Sequence, residues 1–175
     1  ISDAILDEFL RQDPDSRVAV ETLVTTDFVA VAGEVTSKGK FDIEKVVRDT
    51  IAEIGYDDPV LKFDAKTCEI IVKIDPQSPN ISQGVTISQT QKEQGAGDQG
   101  LMFGYATNET DEFMPLPISL AHKLTKKLAD VRKSKELAWV RPDGKSQVSV
   151  AYVDDKPERV ETIVISTQHD PEISN

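Results

Sequence analysis

Two glutamates in neighbouring β-rich runs are the first residues whose type and setting could do chemistry. Glu21 lies in the run at residues 17–24, and Glu34 lies in the run at residues 28–36. Because side chains alternate between the two faces of a strand, each glutamate shares its face with small alanines. Two interpretations stay open. One is the half-solvated outer face of a sheet; the other is a small-molecule site whose carboxylates bind a cation or an ammonium group.

A glycine-rich segment at residues 95–105 is the second candidate. Four glycines in ten residues surround Asp98 and Gln99, and an apolar run follows at once. Glycine lets the backbone turn through positive φ and lets another molecule approach the main chain closely. The segment would therefore hold an acid and an amide on a loop of fixed shape. A tight turn that leads into a buried strand at residues 99–107 explains the same pattern.

The third candidate is a charged Pro-Asp-Gly segment at residues 141–145, although an ordinary surface turn has the same composition.

Several common catalytic, nucleotide-binding and metal-binding motifs are excluded. The sequence has neither a P-loop motif nor a dinucleotide-binding glycine motif. Its single cysteine and its two histidines, His122 and His169, lack zinc-ligand spacing, and no serine-hydrolase elbow is present. The residues alone indicate an α+β protein with a small-molecule site near a polar loop.

Hydrophobic periodicity predicts the elements that must position these candidates. In the first half it predicts a helix at 2–12, a hairpin of 17–24 with 28–36, a helix at 43–54 capped by Asp42 and Gly55, and a buried strand at 68–74. A polar stretch follows at 75–100. The second half predicts a helix after Pro117 and a hairpin of 146–153 with 158–167. The prediction is therefore two similar layered units of mostly antiparallel sheet with helices on one face.

Charge and cysteine content limit the partners. The net charge is −11, which argues against a nucleic acid or an anionic membrane surface as the main partner. No apolar run reaches the length of a membrane span. Cys68 is the only cysteine, so an internal disulfide is excluded and a reducing, cytoplasmic location is expected. Because the chain begins with Ile1 and ends in a polar loop, we expect it to be an internal piece of a longer protein.

Taken together and in order, eight segments resemble the signatures of the S-adenosylmethionine synthetase (methionine adenosyltransferase) family. The resemblance spans essentially the whole chain, and its glycine-rich segment is the most specific part. The segments are Ile1-Ser-Asp-Ala-Ile, Gly33-Glu-Val-Thr, Glu53-Ile-Gly-Tyr, Gln77-Ser-Pro-Asn-Ile, residues 95–106, Met114-Pro-Leu-Pro, Arg141-Pro-Asp-Gly-Lys and Ser166-Thr-Gln-His.

The resemblance implies a reaction and a three-domain fold. In that family the sulfur of L-methionine attacks the 5′ carbon of ATP, the triphosphate leaves, and the enzyme hydrolyses it to phosphate and diphosphate. Two Mg²⁺ ions per site and one K⁺ ion assist. The resemblance also implies a homodimer with shared active sites, or a homotetramer built from such dimers. The domain boundaries expected here are an N-terminal domain at 1–84, a gate loop and glycine-rich loop at 85–100, and a central domain at 101–175.

The matching motifs also imply site residues. Glu34, Gln77 and Asp98 are similar to the residues that bind methionine, with Glu34 on its ammonium group. Glu21 is similar to the family's acidic residue that lies near the K⁺ ion. In the segment at 141–145, Asp143, Gly144 and Lys145 match the family residues that contact ATP.

Departures from the family pattern put activity in doubt. The family's His-Pro-Asp-Lys motif would lie upstream of Ile1 and is absent, so no catalytic residue is assigned within the chain. The later lysine-rich and aspartate-rich segments and the third domain are absent as well. These 175 residues alone are therefore expected to be inactive. The alternative function is an inactive fragment that serves as an interaction or structural domain.

Overall fold

The computed structural model describes residues 1–77 and 99–173. The chain divides into two compact units, Ile1–Leu101 and Met102–Asn175. Each unit combines a helix or helices with antiparallel strands, so the predicted α+β class is confirmed. None of the helices in the described ranges is long and apolar enough to cross a membrane.

Within its described residues, the first unit contains two helices and three strands. In chain order they are α1 (Ser2–Gln12), β1 (Arg17–Thr25), β2 (Phe28–Thr36), α2 (Ile43–Ile54) and β3 (Glu69–Pro76), with a 3-10 turn at Pro59–Leu61 before β3. The caps of α2 are those predicted from sequence. The Asp42 side chain accepts a hydrogen bond from the backbone N–H of Lys45 (3.0 Å), and Gly55 ends the helix with φ 110°.

The sheet of the first unit has the order β1-β2-β3. β1 and β2 form the predicted hairpin, and β3 lies parallel to β2 on its other side. The helices cover one face of this sheet. Nine residues form the buried core there: Ile5, Phe9, Val20, Val29, Val31, Val47, Ile51, Ala65 and Cys68. The predicted burial of Cys68 is confirmed, and burial raises the pKa of its thiol. The prediction of a buried strand at 68–74 is wrong in part, because β3 starts at Glu69 and most of its side chains are exposed.

The part of the second unit that the structure describes has one helix and one hairpin, namely α3 (Leu116–Lys133), β4 (Val140–Val153) and β5 (Lys156–His169). The helix packs on β4, where the Ser146 hydroxyl donates to the Ala121 carbonyl (2.7 Å). Glu109 connects the start of α3 with β4. Its carboxylate accepts from the N–H of Leu116 (2.9 Å) and from the hydroxyl of Tyr152 (2.7 Å). These bonds lower the pKa of Glu109 and raise that of Tyr152 to about 12.

In the second half, one local prediction is wrong, and one alternative that the sequence left open is excluded. Residues 99–107 do not form a strand, and the side chains of Leu101 and Phe103 are 82% and 93% exposed. The segment at 141–145 is not a surface turn, because it lies inside β4. A register shift between Val140 and Gly144 accommodates the proline within the strand.

Candidate functional site

The face of the first unit's sheet that points away from α1 and α2 carries the predicted glutamates. In the β1–β2 register Glu21 lies opposite Ala32, and Glu34 lies opposite Ala19. Residues directly opposite in an antiparallel pair project from the same face, so the two glutamates are diagonal neighbours, typically about 7–8 Å apart. Both are exposed. The structure therefore brings together what the sequence placed only on separate strands.

We call this surface the open sheet face. It consists of Ala19, Glu21, Leu23, Ala30, Ala32, Glu34, Ile71, Lys73 and Asp75. The alanines keep its centre shallow, as their small side chains predicted. Leu23 is 66% exposed and Ile71 is 48% exposed, so apolar surface lies beside the carboxylates. The face is thus amphipathic, with acids at one end of β2 and apolar side chains towards its other end.

Strand β3 adds two charges to the open sheet face. The parallel register places Asp75 beside Glu34 and Lys73 beside Ala32. The Lys73 ammonium pairs with the Asp75 carboxylate at 2.9 Å, with both side chains more than half exposed. Asp75 therefore has a cation of its own, whereas the exposed Glu34 beside it can offer its carboxylate to an incoming ammonium group.

Gln77, the third predicted residue described in this unit, directly follows β3. Its backbone N–H donates to the Val35 carbonyl (3.3 Å), which continues the pairing of β3 with β2. Its side-chain oxygen accepts hydrogen bonds from Arg17 Nε (3.0 Å) and Thr36 Oγ1 (3.1 Å). Because Thr36 lies two residues after Glu34 on β2, Gln77 belongs to the same side of the sheet as the glutamates.

Sequence reasoning missed Arg17 and Thr36. Both occupy the same period-2 positions as the glutamates, since Arg17 lies four residues before Glu21 and Thr36 two residues after Glu34. Extending the strand alternation by one step on each strand would have placed them on the candidate face. Their contact with Gln77 could not be found in this way, because it depends on the position of β3.

The predicted ATP residues lie on β4 of the second unit. Asp143 and Lys145 are exposed, whereas Gly144 between them faces α3. A Cβ added at Gly144 would lie 2.7 Å from Leu128 Cδ2, which shows how closely the helix covers this position. Strand alternation therefore directs Asp143 and Lys145 away from α3 and turns Gly144 towards it. Gly144 can contact a ligand only through its backbone.

Hydrogen bonds and an ion pair hold this part of β4 against β5. Thr167 Oγ1 donates to the Asp143 carbonyl (3.4 Å). Arg141 donates to the Asp170 carboxylate (2.8 Å), and both side chains are mostly shielded. The backbone N–H of Glu172 and the Arg141 guanidinium lower the pKa of Asp170. Asp143 and Lys145 thus project from a backbone that is fixed on both sides.

Asp98 lies outside the described residues, as do residues 95–97 at the start of the glycine-rich segment. The described residues also do not fit a complete metal site. No group of three or more His, Cys, Asp or Glu side chains within 1–77 and 99–173 could hold a metal ion. Glu21 offers one carboxylate only.

The fold and these residues define a class: an α+β protein with two units, whose strands present charged side chains on faces turned away from the helices. Residues 1–79 match the family profile of the S-adenosylmethionine synthetase N-terminal domain, and residues 93–175 match that of its central domain. The chain belongs to the S-adenosylmethionine synthetase family.

A relative described as S-adenosylmethionine synthase, from Sorangium cellulosum (strain So ce56), is 58% identical over 176 residues. The similarity covers 100% of this chain and 42% of the relative. The chain therefore spans less than half of the relative's length.

Proposed function

We propose that this chain is part of an enzyme that makes S-adenosyl-L-methionine from ATP and L-methionine and releases phosphate and diphosphate. The observation that carries the proposal is the placement of Glu34 and Gln77 on one side of the first unit's sheet, in segments that match the family. A carboxylate and a carboxamide on one surface suit the ammonium and carboxylate groups of an amino acid.

The proposed chemistry is a single displacement. A lone pair of the methionine sulfur forms a bond to the 5′ carbon of ATP, the bond from that carbon to the triphosphate oxygen breaks, and a sulfonium product results. A neutral thioether needs no general base, only alignment with the carbon in a pocket that excludes water. A water molecule then hydrolyses the triphosphate to phosphate and diphosphate.

In this scheme the chain's own residues bind and orient the substrates. Glu34 holds the methionine ammonium group, and Gln77 and Asp98 contact the rest of the amino acid. Lys145 stabilises negative charge on the polyphosphate, and Asp143 and the backbone of Gly144 fix ATP on β4. Lys145 is exposed on the side of β4 away from α3, so a polyphosphate can reach its ammonium group.

Metal ions are part of the proposal but not of the steps above. Two Mg²⁺ ions would offset charge on the polyphosphate, and one K⁺ ion would lie near Glu21. Since no cluster of three metal-binding side chains occurs in the described ranges, further ligands must come from other residues or from the substrate. The 175-residue chain alone is therefore proposed to be inactive, and the complete protein to act in the cytoplasm.

The proposed assembly is a homodimer, or a homotetramer of dimers, with active sites shared between subunits. The open sheet face supports it, because Leu23 and Ile71 would otherwise stay exposed on the same face as Glu34. A second subunit over this face would exclude water from the reacting groups. The homodimer thereby provides the dry pocket that the displacement requires.

An activity assay tests the proposed function. The complete protein that contains this chain is mixed with ATP, L-methionine, Mg²⁺ and K⁺, and S-adenosylmethionine is measured by mass spectrometry. We expect product that depends on both substrates. A folded complete protein that forms none overturns the proposal and favours a structural or interaction role.

Replacing Glu34 by glutamine tests the methionine site. Glu34→Gln removes the charge partner of the ammonium group but keeps the size of the side chain. We expect methionine binding to weaken by on the order of 1.5–3 kcal/mol, with a smaller effect on ATP. Separate KM values for the two substrates provide the measurement.

Glu69→Gln is the matched control, because Glu69 is an exposed glutamate in the same sheet, at the start of β3. The control should leave both KM values unchanged. Equal losses for methionine and ATP in the Glu34 variant would count against the assignment of Glu34 to the ammonium group.

A further inference from the structure

Arg17, Thr36 and Gln77 meet where one end of β1, the end of β2 and the end of β3 lie side by side. We propose that Arg17 and Thr36 are positioning residues for Gln77, which hold its carboxamide in one orientation for an amino-acid ligand. The inference rests on the proposed function, because Gln77 is there assigned to methionine. It adds two residues that neither touch the reacting atoms nor belong to the site assigned above.

The identity of the donors fixes the orientation of the Gln77 amide. An arginine side chain can only donate hydrogen bonds, so the Gln77 atom 3.0 Å from Arg17 Nε must be the carbonyl oxygen. The Thr36 hydroxyl then donates to the same oxygen at 3.1 Å. An amide flipped by 180° would turn its NH₂ group towards the guanidinium, and two donors would face each other. Two independent donors thus favour a single rotamer.

The backbone around the cluster is fixed by the sheet. Arg17 and Thr36 are register partners at one end of the β1–β2 hairpin. Gln77 is held beside them by its own N–H, which donates to the Val35 carbonyl at 3.3 Å. The three side chains therefore start from a rigid frame, and the side-chain hydrogen bonds select among the rotamers that the frame allows.

This orientation has a consequence for the ligand. With its oxygen held by Arg17 and Thr36, Gln77 can offer its two amide hydrogens, so the ligand group that it takes must be an acceptor such as a carboxylate. Glu34, two residues after Ala32 on β2, carries a carboxylate, so it binds a cation such as an ammonium group. A donor and a carboxylate on one side of the sheet together favour α-amino acids over amines or acids that carry only one of the two groups.

The test uses the complete protein and the Thr36→Val variant, which removes the hydroxyl but keeps the shape of the side chain. We expect KM for methionine to rise roughly three- to tenfold, as for the loss of one hydrogen bond, while KM for ATP and the melting temperature stay unchanged. Thr36→Ser restores a hydroxyl and should restore KM. Arg17→Met should raise KM for methionine in the same direction. Thr25→Val, an exposed threonine at the other end of β1, is the control without effect.

A double-mutant cycle separates positioning from general stability. In a Gln77→Ala background, Thr36→Val should have no further effect on KM for methionine, because no carboxamide remains to be oriented. A Thr36→Val effect that persists in that background, or an equal effect on both substrates, overturns the inference. If the wild type is active and Thr36→Val leaves KM for methionine unchanged, the inference is wrong but the proposed function is not contradicted. A wild type that makes no product contradicts the proposed function as well.

Discussion

Gly33, the residue before Glu34, has no room for a side chain. A Cβ at this position would lie 1.9 Å from the backbone oxygen of Ala19, on the neighbouring strand β1. The Gly33→Ala variant must therefore push β1 and β2 apart next to Glu34. We expect the free energy of unfolding to fall by about 1–3 kcal/mol, the usual cost of overpacking, as measured by denaturant titration.

Gly104→Ala serves as the control for Gly33→Ala, since a Cβ there meets no atom within 4 Å. It should leave the free energy of unfolding within about 0.5 kcal/mol of wild type. A Gly33→Ala protein as stable as the Gly104 variant would contradict the close approach of β1 to Gly33.

Residues on one strand could be grouped from sequence, but contacts between distant strands could not. Glu21 and Glu34 were placed on alanine-bearing faces because the side-chain period of a strand is two. The contact of Arg17 with Gln77 joins residues 60 positions apart. It requires both strand order and register, which a single sequence does not encode locally.

At the scale of elements, Asp13 links the end of α1 to the segment that follows β2. Asp13 is 9% exposed, and its carboxylate accepts from the N–H of Lys38 (2.9 Å) and of Asp15 (3.3 Å). These two hydrogen bonds lower the pKa of Asp13 below its usual 3.8, and the bond from Lys38 has the larger effect. A carboxyl whose pKa is lowered by folding stabilises the fold above its unfolded pKa, and this contribution is lost as the pH falls through the folded pKa.

The Asp13→Asn variant should therefore unfold at lower denaturant than wild type at pH 7. The difference between them should shrink as the pH falls below the ordinary pKa of the carboxyl, 3.8, and through its lower pKa in the folded protein. Denaturant midpoints at pH 7 and at a series of acidic pH values give the measurement. Asp15→Asn is the control, because that side chain is exposed. A difference between wild type and Asp13→Asn that does not change with pH would show that the charge of Asp13 does not stabilise this link.

Helices were predicted more accurately than strands in this chain. Caps and periodicity are local, and they placed α1 at Ser2–Gln12 and α2 at Ile43–Ile54. The apolar run at 99–107 was predicted as a strand, but Met102 is 85% exposed there. An apolar composition makes a strand only where a partner strand is available, and that is decided by distant parts of the chain.

For the molecule as a whole, the sequence predicted two α+β units but not the parallel pairing of β3 with β2. Strand order is a property of the complete unit, since the crossover through α2 determines which side of β2 receives β3. The candidate site was likewise predicted in parts. Glu34 was singled out by strand alternation and Gln77 by a family motif, whereas only the three-strand arrangement shows that they share one side of the sheet.

The proposed homodimer makes a prediction about the open sheet face. Leu23 is 66% exposed there, so Leu23→Lys should not change the stability of the unit, but it would place a charge between subunits. We expect dimer dissociation to increase at least about tenfold, which corresponds to about 1.4 kcal/mol. Analytical ultracentrifugation of the complete protein measures it. Val60→Lys is the control, since Val60 is 65% exposed in the 3-10 turn and outside the open sheet face. A Leu23→Lys protein with unchanged mass and dissociation constant would place the subunit interface elsewhere.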